Sequence, residues 1–67
     1  ILPFDESAGR RFGVLKADLE ASGNRLGDLD LQIASIAIEA NVPLVTNNTK
    51  HFSRVNGLRL LNWLNQN

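Results

Sequence analysis

The sequence predicts an α/β fold with a parallel sheet, its elements running β-α-α-β-β. Two long stretches repeat apolar residues at helical spacing. Short apolar runs with β-branched residues, bounded by turn-forming residues, read as buried strands. Strand–helix–strand order with apolar strands favours parallel pairing, with helices on the faces of the sheet. A sheet of so few short strands is thin for this architecture, so a missing half is expected to supply the rest.

Ile1-Leu2-Pro3-Phe4 reads as the tail of an apolar strand. Asp5 then caps a helix, and Glu6 in its first turn complements the helix dipole. Ala8, Phe12, Leu15 and Leu19 fall at i, i+4, i+7 and i+11, one helical face, while Arg10, Arg11, Lys16, Asp18 and Glu20 take the remainder. Ser22-Gly23-Asn24 is a stop signal, with Gly23 suited to a left-handed cap, so the helix is placed at 6–22. After the loop Arg25-Leu26-Gly27, Asp28 is the expected N-cap of a second helix. Leu29, Ile33, Ile36, Ala37 and Ala40 form its apolar stripe, widened by Ala34 and Ile38, with Gln32, Ser35 and Glu39 on the other face. A helix this apolar is buried on most sides, and Asn41 is its expected C-cap.

Val42-Pro43-Leu44-Val45 reads as a buried strand, with Pro43 tolerated near its start. The polar stretch Thr46-Asn47-Asn48-Thr49-Lys50-His51 follows; Phe52 and Val55 are expected to pack inward. Gly57 marks a turn, Leu58-Arg59-Leu60-Leu61 reads as the last strand, and Trp63 and Leu64 are expected to cover an end. In open α/β sheets ligands bind beyond the carboxyl ends of the strands. Here that place is Thr46 to His51.

Composition narrows the function classes. Sixty-seven residues allow one domain at most, and a chain of this size buries only about 60% of its unfolded surface, a marginal core. Absence of Cys and a single His, His51, exclude a disulfide framework, a thiolate or His-paired zinc site and a Cys nucleophile. The missing Cys fits a reducing cytosol. A chain without Met that begins at Ile1 reads as a piece of a longer protein. Seven Lys and Arg balance seven Asp and Glu, which argues against a general nucleic-acid sponge and leaves room for a local basic groove. No apolar run approaches the roughly 20 residues of a membrane span, and no signal-peptide pattern is present. At 43% hydrophobic and 21% charged residues the chain is globular.

Few residues can carry chemistry, and each has an ordinary structural alternative. Asp28 and Asp30 open the most apolar helix, where a cap and a dipole-complementing charge account for both. Alternatively, Asp30 faces a cleft and binds a hard cation, which requires partner carboxylates because a helix N-terminus alone repels cations. Thr46, Asn47, Asn48 and Thr49 are either turn formers or a polar shelf that orients a water, metal or phosphate. His51 is either a surface residue or a general base. Lys50, Arg54 and Arg59, like Arg10 and Arg11, are either solvated charges or phosphate contacts. Neither a Gly-rich phosphate loop nor a Ser/His/Asp triad can be assembled.

Two segments resemble a known family. Gly27-Asp28-Leu29-Asp30-Leu31-Gln32-Ile33-Ala34, then Leu44-Val45-Thr46-Asn47-Asn48-Thr49-Lys50-His51-Phe52, together with the closing Val55-Asn56-Gly57-Leu58-Arg59-Leu60-Leu61-Asn62-Trp63, resemble the C-terminal half of a PIN domain of the VapC toxin type. The opening Leu2-Pro3-Phe4-Asp5 is similar to the approach to a helix of that fold, so the resemblance spans nearly the whole chain. It implies a three-layer α/β fold with a parallel sheet, of which this chain, 1–67, is the C-terminal part, the N-terminal strand and helices being absent. It also implies a Mg²⁺- or Mn²⁺-dependent endoribonuclease of a toxin–antitoxin pair, acting on transfer or ribosomal RNA in the cytoplasm, inhibited by a VapB-like antitoxin and forming a homodimer. By the resemblance, Asp30 matches the third acidic position and is the catalytic metal ligand. Thr46 matches a supporting hydroxyl, Asn48 stands where many members carry a fourth Asp, and His51 where close relatives carry Asp or Glu. Asp28 is kept as a cap, and Lys50 and Arg54 are the candidate RNA contacts. The first Asp and the Glu of the family pattern lie on segments this chain does not have.

Three functions are compatible with these residues. The chain is part of a metal-dependent ribonuclease, inactive by itself; or a non-catalytic PIN-derived module that pairs through an exposed sheet edge; or an ordinary small α/β domain.

Overall fold

The computed structural model describes residues 3–61 and contains, in order, α1 (Glu6–Ser22), α2 (Asp28–Glu39), β1 (Leu44–Val45), α3 (Thr49–Phe52) and β2 (Leu60–Leu61). Ile1 and Leu2 of the expected first strand, and Trp63 and Leu64, lie outside the described residues. The α/β class and the parallel pairing are as expected, with Leu44 opposite Leu60 and Val45 opposite Leu61. Segment 46–59 makes the crossover that parallel neighbours require. Among the described residues no helix is long and apolar enough to cross a membrane.

Local chemistry sets the bounds of α1. The Asp5 carboxylate accepts from the Ala8 N–H at 3.0 Å, satisfying one of the donors a helix N-terminus leaves free. Gly23 closes the helix at φ 77°, with the Gly23 N–H donating to the Glu20 carbonyl and Asn24 N–H to the Leu19 carbonyl. This is a Schellman ending, and only glycine takes that φ without strain from a Cβ. Helix α2 ends the same way. Asn41 sits at φ 57°, and the Val42 N–H reaches back to the Ala37 carbonyl at 3.0 Å. Asn41 is therefore the left-handed residue after the C-cap, which is Ala40.

Several expectations need correction. Pro3 and Phe4 form no strand. Pro3 has no N–H to donate, and the Phe4 ring packs edge-on against Phe12 at 6.0 Å instead of joining the sheet. Among the described residues the order is thus α-α-β-α-β. The N-cap of α2 is Gly27, because the Leu31 N–H already bonds the Gly27 carbonyl at 3.0 Å; Asp28 is a first-turn residue whose carboxylate lies 3.5 Å from Lys16 Nζ. Residues 49–52 coil into one helical turn, α3. The last strand is shorter than 58–61 and keeps only Leu60 and Leu61.

A further correction concerns the buried face of α2. Leu31, Ala34, Ser35 and Ala37 are buried, whereas Leu29 is 69% and Ile33 37% exposed. Leu31 and Ala34 join Leu15 and Leu19 of α1 and Val55 in one cluster, with Phe12, Leu26, Ile38 and Leu58 packed against it. The small side chains of Ala34 and Ser35 leave room for α1 to lie close. Ser35 is tolerated there because its hydroxyl donates to the Leu31 carbonyl at 2.6 Å, leaving no unmet polar atom. An Arg11–Glu39 pair at 2.8 Å links the two helices at the edge of this contact.

Candidate metal centre

Three elements bring the predicted residues to one end of β1. Asp30 projects from the first turn of α2, Thr46 follows the last residue of β1, and His51 stands on α3. His51 Nε2 lies 3.0 Å from Asp30 Oδ2, and both side chains are about one-third exposed, 32% and 38%. The ring of His51 rests edge-on against buried Phe52, at 5.4 Å between centroids and 86° between planes. Phe52 is held in the core, so α3 cannot turn without carrying His51 away from Asp30.

Thr46 Oγ accepts from the Asn48 N–H at 3.0 Å, a hydroxyl turn that bends the chain from β1 into α3. Asn48 is the N-cap position of α3, without a side-chain cap, and its carbonyl accepts from the Phe52 N–H at 3.4 Å. Thr46 and Asn48 thus build the turn that carries His51. Among the described residues neither is hydrogen-bonded to Asp30.

The cations divide. Arg59 is held by Asn41, its guanidinium 2.6 Å from the Asn41 carbonyl, and clamps β2 to the end of α2. Arg10 pairs with Glu6 and Arg11 with Glu39. Arg54 reaches the Arg25 carbonyl at 3.5 Å and remains exposed; Lys50 is exposed on α3. Asp28 points to Lys16, away from any partnership with Asp30.

Sequence spacing missed the Asp30–His51 contact. The two residues are 21 positions apart, on elements whose approach depends on the crossover, and neither periodicity nor a local motif signals it. Among the described residues no cluster of three or more His, Asp or Glu side chains could hold a metal ion. The pair offers one carboxylate group and one imidazole. A hard oxygen donor of this kind fits Mg²⁺ or Mn²⁺, as one member of a larger ligand set.

No protein-family model matches the chain. It is 44% identical over 63 residues to ribonuclease VapC2 of Rickettsia felis, an alignment covering 94% of this chain and 47% of that protein. It is 38% identical over 63 residues to the tRNA(fMet)-specific endonuclease VapC of Shigella flexneri, covering 94% and 48%. Among solved structures, VapBC2 of Rickettsia felis bound to a promoter DNA fragment superposes with a TM-score of 0.85 at 45% identity, over 90% of this chain and 45% of that one. VapBC-1 of nontypeable Haemophilus influenzae gives a TM-score of 0.87 at 31% identity, over 96% and 47%. The chain spans about half the length of the curated relatives it matches. Along nearly its whole length, in sequence and in fold, the chain is therefore similar to about half of a VapC ribonuclease.

Proposed function

We propose that this chain contributes one carboxylate, Asp30, to the Mg²⁺- or Mn²⁺-dependent centre of a VapC-type endoribonuclease, the other acidic ligands lying on the half of the domain it does not span. The placement of Asp30 carries the reading. It is about one-third exposed in the first turn of α2, with Oδ2 engaged by His51 and, among the described residues, no hydrogen bond on Oδ1. The relatives named as ribonucleases and as a tRNA(fMet)-specific endonuclease support the reaction class and an RNA substrate; transfer or ribosomal RNA as the target belongs to the proposal. The solved VapBC complexes support a VapB-like antitoxin as partner. A homodimer and action in the cytoplasm belong to the same proposal.

The chain's own residues divide the work. Asp30 holds one position of the cation, which when bound supplies positive charge beside the scissile phosphodiester and activates a water. Thr46 and Asn48 shape the turn at the site; the Asn48 amide, where the family resemblance implies a fourth Asp, brings no charge. Lys50 and Arg54 contact RNA phosphates, which position the substrate. The rest of the domain seats on the bare apolar side of α2 and β1, where Ile33, Ile36, Ala37, Val42, Pro43 and Leu44 line an open depression of about 280 Å³. With one carboxylate, the isolated chain is expected to be inactive. The full-length protein should cleave RNA with Mg²⁺ or Mn²⁺, and Asp30→Asn should abolish cleavage; undiminished cleavage by the variant refutes the assignment.

That apolar face also favours a second reading, a non-catalytic module that pairs with another copy through it. Native mass spectrometry of the isolated chain distinguishes the two. A stable dimer without affinity for Mn²⁺ supports the module, and a monomer removes it.

A further inference from the structure

We infer that His51 is a positioning residue that fixes which oxygen of Asp30 is presented to the cation. The inference rests on the reading of Asp30 as a metal ligand. A carboxylate can only accept, so at 3.0 Å the Nε2 atom carries the proton and donates to Oδ2. That hydrogen bond takes one lone pair of Oδ2 and leaves Oδ1 without a hydrogen bond among the described residues, so Oδ1 is the oxygen offered to a cation. The imidazole is itself oriented: its ring packs edge-on against Phe52, which is 6% exposed in the core. Thr46 fixes the start of α3 through the Asn48 N–H. The line of constraint runs from the core through Phe52 and His51 to Asp30. Direct ligation by His51 would have to use Nδ1, because Nε2 is engaged with Asp30. Partners that orient a metal ligand typically change affinity about 10–100-fold when removed.

The test uses the full-length protein, Mn²⁺ as the probe and three variants. His51→Gln keeps a donor near the place of Nε2. His51→Leu keeps bulk against Phe52 without a donor, so its fold can be matched to the parent by circular dichroism. Asp30→Asn removes the carboxylate charge. Mn²⁺ affinity is read by electron paramagnetic resonance, and nitrogen ligation by spin-echo modulation from ¹⁴N. The expected result is a loss of about 10–100-fold in Mn²⁺ affinity for His51→Leu, recovery in His51→Gln, and no imidazole modulation in the parent protein. Equal affinity in His51→Leu and parent, with Asp30→Asn impaired, overturns the positioning role and leaves Asp30 as ligand. Imidazole modulation that disappears in His51→Gln overturns it in favour of direct ligation by His51. Failure of Asp30→Asn to alter Mn²⁺ binding overturns the underlying reading, and the inference with it.

Discussion

The two sides of α2 are nearly equal in apolar content and opposite in fate. Toward α1, Leu31, Ala34 and Ser35 are sealed, with Leu31 1% exposed and Ser35 satisfied by its own helix. Away from α1, Leu29 and Ile33 stand in the open, and Ile33 lines a depression with Val42, Pro43 and Leu44 of the strand segment. The difference teaches that burial here follows fit as much as hydropathy. The α1 side carries small residues in the middle, which let two helices approach, and larger ones at the margins, which fill the space around them. The opposite side carries branched residues suited to a broader partner surface. A contiguous bare apolar patch on so small a chain marks a surface that something else covers. In the proposed function the rest of the domain covers it.

Three substitutions break or sharpen this contrast. Leu31→Ala should have the largest effect, about 2–5 kcal/mol of stability, because it opens a cavity between α1 and α2 that the packed helices cannot refill. Urea unfolding followed by circular dichroism reads it, and a loss under 1 kcal/mol would mean the helix pair is looser than its burial indicates. Asp5→Ala should come next, at about 1 kcal/mol, through the lost cap on the Ala8 N–H. It acts on α1 and not on the shared face, so its effect should add to that of Leu31→Ala. Leu29→Ala should be smallest in the isolated chain, within about 0.5 kcal/mol, as an exposed substitution. In the full-length protein the same change should cost clearly more, because the face is then covered. Equal, negligible costs in both would remove the rest of the domain from that face.

Much of the helical scaffold was legible without coordinates. The bounds of α1 coincide with 6–22 because they rest on local signals, a capping carboxylate at Asp5 and a left-handed glycine at Gly23. The apolar spacing of Ala8, Leu15 and Leu19 likewise identified the face that is buried. Asp30 and the Thr46–His51 segment were recognisable as site candidates from their place at a helix start and a strand end. The N-cap of α2 shifted by one residue, since Gly27 and Asp28 offer adjacent starting points and the backbone bond to Leu31 decides between them. The strand expected over residues 1–4 does not extend to Pro3 and Phe4, for a different reason. Strand formation depends on a partner's hydrogen bonds, and Phe4 found an aromatic contact instead.

By itself, then, the sequence determined what short-range chemistry controls: where the long helices start and stop, that Leu44 and Val45 suit a strand, and which polar residues gather after it. Tertiary structure alone decided three matters. It selected the α1-facing side of α2, because an almost uniformly apolar helix has no unique inward face until a neighbour supplies one. It paired β1 with β2 in parallel, because register depends on the path of the crossover. And it set His51 Nε2 against Asp30 Oδ2, because a contact between residues 21 positions apart exists only once α2 and α3 are held at the same end of β1.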